Sequence, residues 1–134
     1  MTSDAFIYDA IRTPRGRGKA SGSLHEVKPI TLVADLLNEL ARRNNLEGKT
    51  SQVDDIVLGC VAPVGDQGAD IAKIAALAAG WDDDVAGVQL NRFCASGLTA
   101  LQMAADRIRI GEADVMIAGG AESMSMVPMG GNKP

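Results

Sequence analysis

Histidine occurs once in this chain, at His25, and cysteine twice, at Cys60 and Cys94. The two thiols lie in unrelated contexts, so no Cys/His set with zinc-ligand spacing exists and no metal is expected. Both thiols are expected to be reduced, which suits a cytoplasmic protein. Aromatic residues make up only 3% of the chain, so Ala and aliphatic side chains must fill its core. Basic residues are not in excess. The net charge of −4 gives no global field for nucleic acid or an anionic membrane surface. No apolar run approaches the ~18–20 residues of a membrane span. The first residues lack the basic and apolar regions of a secretory signal. No G-x-G-x-x-G follows the first apolar stretch, which leaves a dinucleotide site without support.

What is present is an alternation of buried-looking strands and apolar-striped helices. Ala5-Phe6-Ile7-Tyr8 reads as a first strand, followed by a Gly/Ser/Lys loop to about Pro29. Ile30, Val33, Ala34, Leu37, Leu40 and Ala41 recur at helical spacing, and Asn44, Asn45 and Gly48 close that helix. Ile56–Val61 is continuously apolar, as in strands buried on both faces of a parallel sheet. An Ala-rich helix runs from about Asp70 to Gly80. Val88–Asn91 forms the third strand, a helix with apolar residues nearly all round follows from Cys94, and Val115–Gly120 is the fourth strand. The pattern β-α-β-α-β-α-β predicts an α/β fold, with a mainly parallel sheet and helices on both faces. So apolar a third helix is expected to need a further layer, from a longer protein or a partner.

Cys94 lies between the third strand and its helix. Open parallel sheets place active sites outside the carboxyl ends of their strands. A thiol at a helix start also meets free N–H groups and the positive end of the helix dipole, which favour the nucleophilic thiolate. The Cys94 N–H is itself a candidate oxyanion donor, and acyl transfer through a thioester is the reaction class that follows. From placement alone a second reading stands beside this one: a small buried core residue. Cys60 reads as core, and His25, flanked by Leu24 and Glu26, as a surface loop residue. Arg12, Arg15, Arg17 and Lys19 read as a solvated loop or as a phosphate or CoA contact.

The stretch Leu90-Asn91-Arg92-Phe93-Cys94-Ala95-Ser96-Gly97, continued to Ile108, resembles the acyl-enzyme signature of the thiolases at every position. Tyr8–Gly16 is similar to that family's first strand and loop. Val57–Val61 and Ala118–Ser125 are similar to its second and fourth strands. The resemblance implies a thiolase N-terminal core domain over residues 1–122 and the start of the family's loop domain over 123–134. The form around Cys94 is most similar to acetyl-CoA acyltransferases of fatty-acid degradation (β-oxidation).

In that family's chemistry, Cys94 attacks a 3-ketoacyl-CoA, acetyl-CoA leaves, and CoA collects the acyl group from the Cys94 thioester. The reverse direction is a Claisen condensation. CoA and acyl-CoA are substrates, and no cofactor is implied. The resemblance also implies a homo-dimer or tetramer of the full-length protein, with the third strand at a sheet edge pairing with its copy. The family's acid/base cysteine in a C-x-G context, its histidine in Gly-His-Pro and its Asn-Glu-Ala-Phe motif do not occur here. The chain is therefore expected to be the N-terminal third of a thiolase, inactive alone. Two alternatives are a ketoacyl-synthase-like condensing enzyme and a non-catalytic dimerisation module of thiolase descent.

Overall fold

The computed structural model describes residues 4–133. Its centre is a parallel three-stranded sheet of β1 (Asp55–Gly59), β2 (Ala86–Leu90) and β3 (Met116–Gly120), in the order β2-β1-β3. Asp55 is aligned with Ala86 on one side and Met116 on the other, and Gly59 with Leu90 and Gly120. Helix α1 (Pro29–Arg43) precedes β1, α2 (Ile71–Ala78) crosses from β1 to β2, and α3 (Ser96–Arg109) crosses from β2 to β3.

Each boundary has a local cause. Pro29 opens α1, where its fixed φ fits the first turn and its missing N–H costs nothing. Asp70 caps α2, its carboxylate accepting from the Ala72 and Lys73 amides at 3.1 and 3.4 Å. Gly111, at φ 76°, ends α3 in the left-handed region that glycine tolerates best.

β1 is buried along its whole length and sends side chains to both faces. Ile56 and Leu58 join Val33, Leu37, Ile71, Ala75 and Trp81 in the main core under α1 and α2. The opposite face receives α3 through Ala100 and Ala104. Gly59 makes this second contact close, since a Cβ there would lie 2.5 Å from the Ser96 Cβ and 2.8 Å from its carbonyl carbon. Gly59→Ala is expected to lower stability by about 3 kcal/mol, because β1 must move away from α3. Urea unfolding checks this, and an unchanged midpoint would show that the two elements are not locked together there.

The sheet differs from expectation at the N-terminus. Ala5–Tyr8 is not a strand: the segment carries no ladder hydrogen bonds, and Phe6, Ile7 and Tyr8 are exposed. Neither edge of the sheet receives it. What holds the segment is polar: Asp9 pairs with Arg43 at 2.9 Å and accepts from the Asn44 amide at 3.2 Å, both at the end of α1. An extended segment has no ladder without a neighbouring edge, however apolar its side chains. The α/β class, the parallel sheet and the helices on both faces are as the periodicity predicts. The outer face of α3 carries Leu98, Leu101 and Met103, all exposed.

Candidate functional site

The polar turn after β2 carries Cys94. Helix α3 begins at Ser96 with Ala95 as its N-cap, so Cys94 precedes the first helical residue by two positions. The sequence pattern places the helix start at Cys94; the structure moves it because Arg92–Ala95 form a hydrogen-bonded turn instead. Phe93 adopts φ 49°, in the left-handed region. Its carbonyl accepts from the Ser96 hydroxyl at 2.6 Å and the Ser96 amide at 3.0 Å. The Ser96 hydroxyl also accepts from the Arg92 amide at 2.8 Å. Ser96 is buried against Gly59, so the turn is pinned to the middle strand.

Cys94 is a free, exposed thiol, which removes the reading of it as a packed core residue. Among the amides from Arg92 to Ser96, only that of Cys94 makes no hydrogen bond within the described residues. The exposed sulfur and an unengaged N–H therefore belong to one residue, at the carboxyl end of a parallel strand. An oxyanion formed on carbon bonded to the sulfur has a donor at hand.

Cys60 is the opposite case. It is 1% exposed and directs its thiol to the Gln67 carbonyl at 3.7 Å. Burial pushes its pKa up to about 11, and the nearby Glu122 carboxylate adds to the shift. This is a core thiol, as its strand context predicts. His25 lies 3.8 Å from Glu26, and no hydrogen bond joins it to Cys94. Arg15 and Arg17 line the rim of a cleft of about 300 Å³ between the 13–18 loop, α1 and residues 120–125. Cys94 does not line that cleft. No hydrogen bond or ion pair among the described residues joins the basic loop to Cys94.

Sequence reasoning left one cluster unmarked. Glu122, just after β3, accepts from the Val61 amide at 2.6 Å, the Ala62 amide at 3.3 Å and the Gln67 side chain at 2.8 Å. Gln67 is fully buried and also donates to the Ala62 carbonyl and accepts from the Ser123 amide, both at 2.8 Å. These bonds tie the end of β1 to the end of β3. The Val61 carbonyl in turn accepts from the Asn91 side-chain amide at 3.1 Å, beside the cysteine turn. Among the described residues no group of three or more His, Cys, Asp and Glu could hold a metal ion. No helix there is long and apolar enough to cross a membrane.

The family model described as "Thiolase, N-terminal domain" matches residues 5–133. The chain is 44% identical over 126 residues to the 3-oxoadipyl-CoA/3-oxo-5,6-dehydrosuberyl-CoA thiolase of Escherichia coli, covering 93% of this chain and 30% of that protein. It is 40% identical to the 3-ketoacyl-CoA thiolase of Bacillus subtilis, covering 96% of this chain and 32% of the relative. The acetyl-CoA acetyltransferase of Bacillus anthracis superposes with a TM-score of 0.67 at 37% identity, over 74% of this chain and 24% of that one. The chain thus spans roughly a third of the length of the curated relatives it matches.

Proposed function

The chain belongs to the thiolase family, as its N-terminal domain, and from that membership we propose that Cys94 is the acyl-accepting nucleophile of a 3-ketoacyl-CoA thiolase. One observation carries the assignment of the residue: an exposed thiol and an unengaged amide on the same residue, at the carboxyl end of β2. The substrate class is 3-ketoacyl-CoA, common to relatives named for 3-oxoadipyl-CoA and for 3-ketoacyl-CoA.

In the cleavage direction the Cys94 thiolate adds to the C3 carbonyl, and the oxygen becomes an alkoxide that the Cys94 N–H faces. Collapse of this adduct breaks the C2–C3 bond. The bonding electrons pass to C2, which takes a proton to become acetyl-CoA, and the acyl group stays on Sγ. The thiolate of CoA then attacks that thioester and leaves as acyl-CoA, restoring Cys94. Every step exchanges a carbonyl substituent without a net redox change, so CoA and acyl-CoA serve as substrates and no electron carrier is needed. A cytoplasmic homo-dimer or tetramer belongs to the same proposal. The outer edge of β2 supports it, being unpaired among the described residues and open to a second copy.

Acyl exchange with acetyl-CoA tests the assignment. Transfer forms an Sγ–acetyl bond, breaks the thioester of acetyl-CoA and releases CoA as its thiol. Peptide mass spectrometry is expected to find the acetyl group on Cys94, none on Cys60, and none in Cys94→Ala. A wild-type chain with no adduct at Cys94, or with label on Cys60, would sink the assignment.

A further inference from the structure

Phe93 holds a left-handed backbone conformation, φ 49°, that L side chains adopt only when their surroundings enforce it. It immediately precedes Cys94, so its φ and ψ aim both the thiol and the Cys94 amide. Two side chains hold it. Ser96 grips the Phe93 carbonyl from the helix side. Asn91 grips the amide from the strand side, its Oδ1 accepting from the Phe93 N–H at 2.8 Å.

Asn91 has a second hold. Its Nδ2 donates to the Val61 carbonyl at 3.1 Å, and the Val61 amide is itself fixed by Glu122. The side-chain amide therefore bridges the cysteine turn to the joined ends of β1 and β3. Its orientation is not arbitrary: rotating the amide would set NH2 against the Phe93 N–H and oxygen against the Val61 carbonyl. Few side chains fit this pair of partners. Asp keeps the acceptor and loses the donor, and Ala loses both.

We propose that Asn91 is a positioning residue for the Cys94 nucleophile, holding Phe93 in its left-handed turn and anchoring that turn to Val61 and, through it, to Glu122. The proposal rests on the acyl-transfer role of Cys94. Asn91 does not touch the reacting atoms. It sets where the sulfur and the oxyanion-facing amide point, while leaving the exposure of the thiol as it is.

Three readouts on the whole chain test it: acetylation of Cys94 by acetyl-CoA, alkylation of Cys94 by iodoacetamide, and hydrogen exchange at the Phe93 amide. Acylation needs both thiol and amide in place, whereas alkylation needs only an accessible thiolate. Asn91→Ala is expected to speed Phe93 exchange by about fivefold to tenfold, the loss of one hydrogen bond. It is expected to slow acylation about tenfold, with alkylation changed by less than about twofold and Cys60 still protected. Asn91→Asp keeps the acceptor and should retain most of the Phe93 protection, while still slowing acylation because the Val61 anchor is gone. Unchanged exchange and acylation in Asn91→Ala would overturn the proposal. So would alkylation falling in step with acylation, or Cys60 becoming reactive, because each marks a merely structural loss. If the wild-type chain accepts no acetyl group, the acyl-transfer reading fails by itself. Phe93 exchange in the Ala and Asp variants then still decides whether Asn91 holds the turn.

Discussion

Purified alone, the chain is expected to cleave acetoacetyl-CoA with CoA no faster than its Cys94→Ala variant. Cys94, the proposed nucleophile, is exposed, but the cleavage needs two proton transfers for which the described residues place no partner beside it. The thiol must lose its proton before attack, and C2 of the departing acetyl-CoA must gain one. His25 lies 3.8 Å from Glu26, and no hydrogen bond among the described residues joins it to Cys94. The Cys60 thiol is buried against the Gln67 carbonyl, with its pKa pushed up to about 11, and cannot exchange protons with substrate. The Gly-His-Pro and C-x-G contexts expected of the family are absent from the sequence. A positioned acid or base contributes about 10²–10⁴-fold, so each step left without one runs at about 10⁻²–10⁻⁴ of its usual rate. A coupled assay of acetyl-CoA release measures this. Turnover above the Cys94→Ala control would mean that a described side chain supplies the missing proton transfers. The first half-reaction from acetyl-CoA is a milder demand, since thioester exchange with a thiolate generates no carbanion. Acetylation of Cys94 without turnover is the expected pair of results.

The parts of this fold that repeat a physical period were legible in the sequence. Val33, Leu37 and Ala41 form the buried stripe of α1 that their spacing predicts, and Ile56–Leu58 lie in a strand buried on both faces. Asp70 and Gly80 bound α2 as their cap and stop chemistry requires. The segment Ala5–Tyr8 misled because composition reports that a stretch suits a strand, not that an edge lies beside it. Helix α3 starts two residues later than the apolar pattern suggests for a related reason. Ala95 and Ser96 suit a helix as well as a turn, and the tertiary contact of Ser96 with Gly59 decides between them. At the site, Cys94 stands out because thiol, strand end and following helix are adjacent in sequence. Asn91, Val61 and Glu122 do not. Their bonds join residues 30 and 61 positions apart, and no local pattern encodes such a contact.

Cys94 is expected to alkylate with iodoacetamide at least about 100-fold faster than Cys60 in the folded chain at pH 8. The separation comes mainly from Cys60. Moving that thiol from 9.0 to about 11 leaves it about a hundredth of the thiolate of an unperturbed thiol below pH 9. Its 1% exposure then denies the reagent access to what thiolate remains. Cys94 is open to the reagent, because its side chain is exposed on the turn ahead of α3. The pH dependence has a definite sign. The folded chain favours the protonated Cys60 thiol, so the shift stabilises the fold fully below pH 9, and that contribution is lost as pH rises through about 11. Cys60 alkylation should therefore climb steeply toward pH 11, as ionisation and loosening of the core reinforce each other. In urea the two rates should converge at any pH, because unfolding removes the burial that separates them. Peptide-resolved alkylation rates read both thiols in one sample. Equal rates in the native chain would contradict the burial of Cys60 and the exposure of Cys94 together, and with them the assignment of nucleophile and core thiol.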